Sequence, residues 1–152
     1  MFRPSYIEAH KKGKLNDIIG QALKILESCC LCPRECGVNR LKDEKGICRT
    51  GRRAKIASYN AHFGEEDPLV GTRGSGTIFV SNCNLLCVFC QNWEISHLEE
   101  GSEIDSGTLA RIMLNLQKQG CHNINFVSPT HVVPQILEAL PFAIEGGLNL
   151  PL

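Results

Sequence analysis

The chain lacks a long hydrophobic run, an excess of charge of either sign, and a large share of aromatic side chains. Its 152 residues carry a formal net charge of zero, and aromatic residues make up 6% of them. A balanced charge gives no general attraction to nucleic acid or to an anionic membrane surface. The sequence contains nothing close to the ~18 consecutive apolar residues of a membrane span, and the polar, basic stretch 1–15 has no apolar core of a secretory signal. We therefore expect a cytoplasmic protein whose partners include neither nucleic acid nor membrane.

Cysteine, in contrast, is abundant. The chain has nine cysteines, an odd number that fits poorly with a framework made only of disulfides. Thiols in a reducing compartment stay available as metal ligands or catalytic groups. The hydrophobic fraction of 43% is that of a globular protein, and the length suits about one domain. The cysteines are therefore the first place to look for function.

Three of them follow a short β-branched and aromatic run, 77–80, that predicts a strand. Cys83, Cys87 and Cys90 have the spacing C-x3-C-x2-C, and no fourth cysteine stands nearby. A closed structural metal site takes four protein ligands, whereas a cluster held by three thiolates has one iron free to bind another molecule. The alternative is a packed helix, because the three positions also fall on one helical face.

A second cysteine group lies nearer the N-terminus. Four thiols suffice for a closed zinc site or for a second iron–sulfur cluster. Cys30 could replace Cys29 as a ligand, and the alternative is that these cysteines bind nothing. The basic stretch 34–55 has eight Lys or Arg against three acidic residues, which suits a solvated loop or a surface for an anionic electron carrier. The four candidate ligands of this group are Cys29, Cys32, Cys36 and Cys48.

The rest of the pattern predicts an α/β fold. A cysteine-rich extension, 1–53, begins with a helix capped by Asn16, and the second region, 54–152, alternates strands and helices. Asp105 or Ser106 caps a helix that Gly120 ends, and a proline, Pro141, is expected to break the next helix. Strands are expected at 54–60, 77–80, 123–127 and, as a beginning only, 148–152, which makes the chain look truncated in the third strand of a parallel sheet.

Two polar groups fall at one edge of that sheet. The cysteine triplet follows the strand at 77–80, and the segment 128–131, Ser-Pro-Thr-His, follows the strand at 123–127. Active sites on parallel sheets lie at the carboxyl ends of the strands. The two groups are therefore expected to contribute to one site.

The triplet, with Phe89 before its last cysteine and Asn92 after it, resembles the radical S-adenosylmethionine (SAM) superfamily. Within it the chain is similar to pyruvate formate-lyase activating enzymes. The phrases Gly-Ser-Gly-Thr-Ile-Phe and Cys-Val-Phe-Cys-Gln-Asn, and the N-terminal Cys-x-x-Cys-Pro-Arg-x-Cys, extend the resemblance over most of 29–152.

The resemblance implies a partial (β/α) barrel and a 4Fe-4S cluster held by Cys83, Cys87 and Cys90, with SAM on the fourth iron. Reductive cleavage of SAM would then give a 5′-deoxyadenosyl radical that abstracts hydrogen, with a glycyl-radical-type protein as one conceivable substrate. Reduced flavodoxin or ferredoxin would donate the electron. The resemblance places five residues near SAM, with Phe89 against the adenine: Phe89, Asn92, Ser128, Thr130 and His131.

In that alignment of motifs, Ser128 to His131 stand where the family has Gly-Gly-Glu, and Asn82 stands where a glycine is expected. The catalytic residues that act on substrate are not indicated. The alternative function is a non-catalytic zinc or iron–sulfur structural module built on the N-terminal cysteines.

Overall fold

The computed structural model describes residues 3–152 and shows a mixed α/β fold. Its sheet has four strands, in the order β3-β1-β2-β4. Strand β1 is antiparallel to both of its neighbours, whereas β2 and β4 are parallel. The strands are β1 (Ala54–His62), β2 (Ser75–Val80), β3 (Ser102–Ile104) and β4 (Ile124–Val127).

Six helices accompany the sheet in the described part of the chain. Three of them are long, and α5 and α6 pack together over the sheet while α2 packs on α6. Short 3-10 turns lie at Leu26–Ser28, Arg40–Lys42 and Pro129–Val132. The helices are α1 (Ser5–Lys11), α2 (Lys14–Ile25), α3 (Asp67–Val70), α4 (Trp93–Ser96), α5 (Ser106–Gln119) and α6 (Val133–Glu145). None of the helices within 3–152 is both long enough and apolar enough to span a bilayer.

Helix α5 forms as its sequence predicts. The Asp105 carboxylate accepts a hydrogen bond from the Thr108 amide at 2.7 Å, and this bond lowers the pKa of Asp105. Gly120 ends the helix in the left-handed conformation, with φ +94°. The buried face of α5, which includes Met113 and Leu116, meets Ile78 of β2 in the core. This packing fixes β2, and with it the segment that leaves its carboxyl end.

Three local predictions are wrong. Helix α2 begins at Lys14 after a left-handed Gly13, not after Asn16. Helix α6 continues through Pro141, because the buried residues Ala139, Leu140 and Ala143 hold it against the core despite the missing backbone donor. Residues 148–152 form no strand, although the Ile124 amide donates to the Pro151 carbonyl at 2.8 Å beside β4.

The sheet also departs from the purely parallel arrangement. Strand β1 pairs antiparallel with β2, and the unpredicted strand β3 pairs antiparallel with β1. The predicted parallel pair is present as β2 and β4, in the register Gly76 to Ile124 through Phe79 to Val127. The mixed α/β class is therefore established, and the barrel stays a prediction.

Gly101 closes the turn into β3 at a crowded place. Its φ of +129° is a conformation that side chains rarely adopt, and an added Cβ would lie 2.7 Å from the Ile56 carbonyl oxygen. The preceding carbonyl, that of Glu100, accepts a hydrogen bond from the Ser81 hydroxyl. Gly101 therefore lets the chain pass close to the end of β2.

We expect Gly101→Ala to lower the free energy of unfolding by about 1–3 kcal/mol, since both the backbone conformation and the space are unsuitable. Urea denaturation followed by circular dichroism measures the change. The control is Gly20→Ala on the exposed face of α2, where no atom lies within 4 Å of an added Cβ. That control should gain about 0.5–1 kcal/mol, and an equal gain for Gly101→Ala would contradict the strain.

Candidate metal centre

The three predicted cluster ligands lie on an irregular loop that leaves the carboxyl end of β2. The loop, residues 81–92, consists of turns, so the packed-helix alternative is wrong. Cys83 is buried, and Cys87 and Cys90 are half-buried. The amide of Cys90 donates to the carbonyl of Cys87 at 3.2 Å, which folds the last two ligands into one turn.

Two of the sulfur atoms accept hydrogen bonds. The Leu85 amide donates to Cys83 Sγ at 3.4 Å, and the Ser96 hydroxyl donates to Cys90 Sγ at 3.3 Å. Donors of this kind stabilise thiolates, and thiolates are the ligands that iron–sulfur clusters take. The donor set therefore fits such a cluster. Within residues 3–152 the structure does not bring three Cys, His, Asp or Glu side chains together as a metal-binding group.

Asn82 holds the start of the loop. It has a left-handed φ of +67°, which asparagine tolerates better than most residues, so it serves where a glycine was expected. Its side-chain amide donates to the Arg49 carbonyl and to the Thr50 hydroxyl, each at 3.2 Å. Its backbone amide donates to the Ile95 carbonyl at 2.8 Å. The N-terminal region and α4 thus fix the position just before Cys83.

Arg34 holds the middle of the same loop. Its Nε donates to the Asn84 carbonyl at 3.0 Å and its Nη2 to the Leu85 carbonyl at 3.3 Å, between the first two predicted ligands. The sequence pattern did not predict this contact, because Arg34 lies 50 residues before Asn84 and was noted only in the basic stretch and in the Cys-x-x-Cys-Pro-Arg-x-Cys motif. Its place between Cys32 and Cys36 was the one available signal.

The outer side of the loop is apolar and exposed. The side chains of Val88 and Phe89 are 88% and 84% exposed, respectively. Trp93 stacks on His97 with ring centroids 3.7 Å apart, next to the serine that binds Cys90. Asn92 is half-buried at the start of α4 and makes no capping bond with its side chain. An aromatic ring as exposed as that of Phe89 is free to stack on a planar ligand.

The segment that follows β4, residues 128–131, lies beside the cysteine loop, as predicted, but its side chains differ in exposure. Ser128 and Thr130 are exposed, and Ser128 has a left-handed φ of +56°. His131 is 1% exposed, and its Nε2 lies 3.1 Å from the Ser81 carbonyl, so this nitrogen carries the proton. Burial, with a smaller contribution from Arg40, lowers the pKa of His131 to about 4. His131 therefore supports the loop from below in its neutral form.

Cys121 lies at the amino ends of the parallel strands β2 and β4, opposite to the cysteine loop at their carboxyl ends. It precedes β4 rather than following it, is 3% exposed, and approaches the Arg73 carbonyl before β2. Desolvation raises the pKa of its thiol, as expected of a cysteine packed in the core. Cys121 is therefore not placed to be a fourth ligand for the loop.

The N-terminal cysteines form a separate neighbourhood. Cys29 and Cys48 are buried, Cys32 and Cys36 are half-buried, and Cys30 is exposed. The choice that the sequence left open between Cys29 and Cys30 thus has a structural basis, since only Cys29 points inward. Three of the eight basic side chains of the stretch 34–55 form ion pairs: Arg49 with Glu99, Arg52 with Glu138, and Lys45 with Glu103.

Comparison with known proteins agrees with an iron–sulfur site. A family model described as a 4Fe-4S single cluster domain matches residues 70–138, a span that contains the loop and excludes the N-terminal cysteines. An uncharacterized protein from Methanocaldococcus jannaschii is 35% identical over 145 residues, which cover 90% of this chain and 41% of that protein. The chain thus spans less than half the length of this relative. No solved structure matches significantly.

We expect Arg34→Met to loosen the loop of the metal-free chain. Lost hydrogen bonds worth about 1 kcal/mol would raise the open population about fivefold, and with it the rate at which a thiol reagent modifies buried Cys83. Peptide mass spectrometry measures the rate. The control is Arg111→Met, whose guanidinium reaches only Thr108 on its own helix. An unchanged rate for Arg34→Met would show that Arg34 does not hold the loop.

The neutral His131 predicts a loss of stability in acid. The folded-state pKa of His131, about 4, lies below its unfolded value of 6.5. Between these two values the unfolded chain binds a proton that the folded chain does not. The free energy of unfolding is therefore highest above pH 6.5 and decreases as the pH falls towards 4. Relative to His131→Gln, the wild type should lose about 3 kcal/mol of unfolding free energy between pH 7.5 and 4. Urea titrations at several pH values test this. His122→Gln, at an exposed position, should keep the wild-type dependence, and a pH-independent difference for His131→Gln would contradict the prediction.

Proposed function

We propose that this chain is the cluster-bearing part of a radical SAM enzyme, with Cys83, Cys87 and Cys90 holding a 4Fe-4S cluster. One observation carries the proposal. The three thiols lie at the carboxyl edge of the parallel pair β2 and β4, and the remaining cysteine of the matched domain, Cys121, lies at the other edge. A cluster at this loop would thus have three cysteine ligands and one open iron.

When bound, a 4Fe-4S cluster with SAM supplies reductive cleavage of SAM and hydrogen-atom abstraction from a substrate. The chain's own residues would position both. The exposed ring of Phe89 would stack on the adenine, and the exposed hydroxyls of Ser128 and Thr130 would bind the polar end of SAM. Asn92 lies between the last ligand and α4, within the same loop.

The resemblance to the family places His131 near SAM, but in this proposal His131 supports the protein backbone instead. Its ring nitrogen is committed to the Ser81 carbonyl and its side chain is buried. It would therefore act by holding the end of β2 under Cys83 and would not touch SAM. The substrate-selecting residues would belong to other parts of a protein that, like the relative from Methanocaldococcus jannaschii, is longer than this chain.

The proposed partners follow from the reaction. A cluster of this kind needs one electron from a carrier such as reduced flavodoxin or ferredoxin. The apolar rim of the loop, with Val88 and Phe89 both more than four-fifths exposed, is the side from which a carrier or a protein substrate would approach. A glycyl-radical-type protein is one such substrate. The first units of a partial (β/α) barrel would be built on β2 and β4.

The test is anaerobic reconstitution with iron and sulfide. We expect about four iron and four sulfide per chain at the loop, and a SAM-dependent change in the paramagnetic resonance spectrum of the reduced cluster. Cys83→Ala, Cys87→Ala and Cys90→Ala should each abolish both signals. Two control variants show what the loss of a cysteine outside the loop does: Cys30→Ala at an exposed position and Cys121→Ala in the core.

Each outcome distinguishes a function. A cluster whose spectrum ignores SAM would make the chain an electron carrier or a structural iron–sulfur module. If the signals survive Cys83→Ala, the cluster belongs to other cysteines, and the proposal is wrong. If they vanish in Cys121→Ala while its circular dichroism is unchanged, Cys121 is a ligand and no iron is open for SAM.

A further inference from the structure

The N-terminal neighbourhood contains a buried cation without a carboxylate. Arg40 is 1% exposed, and among residues 3–152 it forms no ion pair with Asp or Glu. Its Nε donates to the Gly51 carbonyl at 3.1 Å and its Nη1 to the His131 carbonyl at 2.8 Å, while Nη2 has no partner in the described chain. A guanidinium carries its positive charge throughout the ordinary pH range, so its burial without an anion is unfavourable.

The group that faces this cation is a cysteine. Cys29 Sγ lies 3.9 Å from Arg40 Nη1, and Cys29 is 5% exposed. A neutral thiol leaves the positive charge uncompensated, whereas a thiolate compensates it. A buried thiolate that must persist is best stabilised by a metal ion, which also satisfies its remaining lone pairs. A metal–thiolate centre at Cys29 would therefore supply the negative charge that buried Arg40 lacks.

The backbone places three further cysteines in the same region as Cys29. The Cys29 amide donates to the Val38 carbonyl and the Gly37 amide to the Cys29 carbonyl, both at 3.0 Å, and Cys36 Sγ lies 4.0 Å from that same carbonyl. An added Cβ at Gly46 would overlap Cys36 Sγ, so the stretch that leads to buried Cys48 packs directly on Cys36. Cys32 begins the turn between Cys29 and Cys36, where the Glu35 amide donates to its carbonyl at 3.0 Å.

We propose that Cys29, Cys32, Cys36 and Cys48 bind a single Zn²⁺, and that Arg40 is its buried counter-charge. Four zinc–sulfur bonds replace four S–H bonds, and the protons leave to solvent. The resulting centre has a charge of about −2, which suits a neighbouring guanidinium. The 4Fe-4S family model matches residues 70–138 and does not include these four cysteines, which leaves them available for a second, closed centre. Within residues 3–152 the four thiols do not form a metal-binding group, so the proposed zinc would have to draw them together.

The experiment uses the whole chain, reduced and free of oxygen. Titration with Zn²⁺ against a competing chelator should give one tight site, and Co²⁺ should give the intense sulfur-to-metal absorption of tetrahedral thiolate coordination. Cys36→Ser and Cys48→Ser should each weaken zinc binding on the order of 100-fold or more, since they remove a ligand. Cys30→Ser, the exposed neighbour of Cys29, is the matched control and should bind zinc as the wild type does.

The role of Arg40 is tested by measuring zinc affinity and the cobalt spectrum, not the free energy of unfolding. Arg40→Met should weaken zinc binding about tenfold or more, and Arg40→Lys should restore part of it because it keeps the charge. A shift of the cobalt charge-transfer band in Arg40→Met separates loss of the counter-charge from a general loss of folding. If both variants are unfolded, Cys36→Ser and Cys48→Ser still decide whether the site exists.

The proposed zinc site uses none of the three loop cysteines, and a triple variant tests whether it binds metal without them. With Cys83, Cys87 and Cys90 all changed to Ala, one zinc per chain should remain, whatever becomes of the SAM-dependent signal. Absence of that zinc, equal loss in Cys30→Ser, or iron and sulfide in place of zinc in the triple variant would overturn the inference. Zinc binding with no SAM effect would overturn the proposed function alone.

Discussion

The buried guanidinium of Arg40 is the interaction on which the rest of the site depends. It binds the carbonyls of Gly51 and His131, and the ring of His131 reaches on to the carbonyl of Ser81. Three segments far apart in the chain therefore meet below the cysteine loop through one charged group and one neutral ring. Because both side chains are buried, an unpaired group in this chain of bonds is costly. The end of β2 is fixed by this network as much as by the sheet.

This arrangement makes the N-terminal region part of the site. Arg34 binds two loop carbonyls, and the backbone at Arg49 and the hydroxyl of Thr50 receive the side chain of Asn82. The loop itself has little regular structure, so its shape comes from these contacts and not from local propensity. Through Arg34, the N-terminal cysteine segment therefore contacts the loop of the predicted cluster ligands directly.

Local signals predicted local structure. The cap at Asp105, the stop at Gly120 and the parallel pair of strands at 77–80 and 123–127 follow from residue types and spacing, and the structure contains them. The antiparallel pairing of β1 with β2, the contact of Arg34 with the loop and the burial of His131 depend on residues 13 or more positions apart. The spacing of apolar residues along a helix or strand does not indicate contacts between residues so far apart in the chain. Pro141 shows the reverse case, in which core packing overrides a strong local signal.

The two cysteine groups differ in the groups that face their sulfur atoms, and this difference favours a different proposed role for each. Within residues 3–152 the loop sulfurs accept hydrogen bonds from two neutral donors, the Leu85 amide and the Ser96 hydroxyl, and lie beside an exposed apolar rim. Such a centre keeps its negative charge open to an incoming cofactor or electron carrier. Cys29 faces a permanent cation in the interior, where a fixed charge favours one oxidation state and a closed ligand shell. A redox centre is therefore expected at the loop, and a structural metal at the N-terminal site.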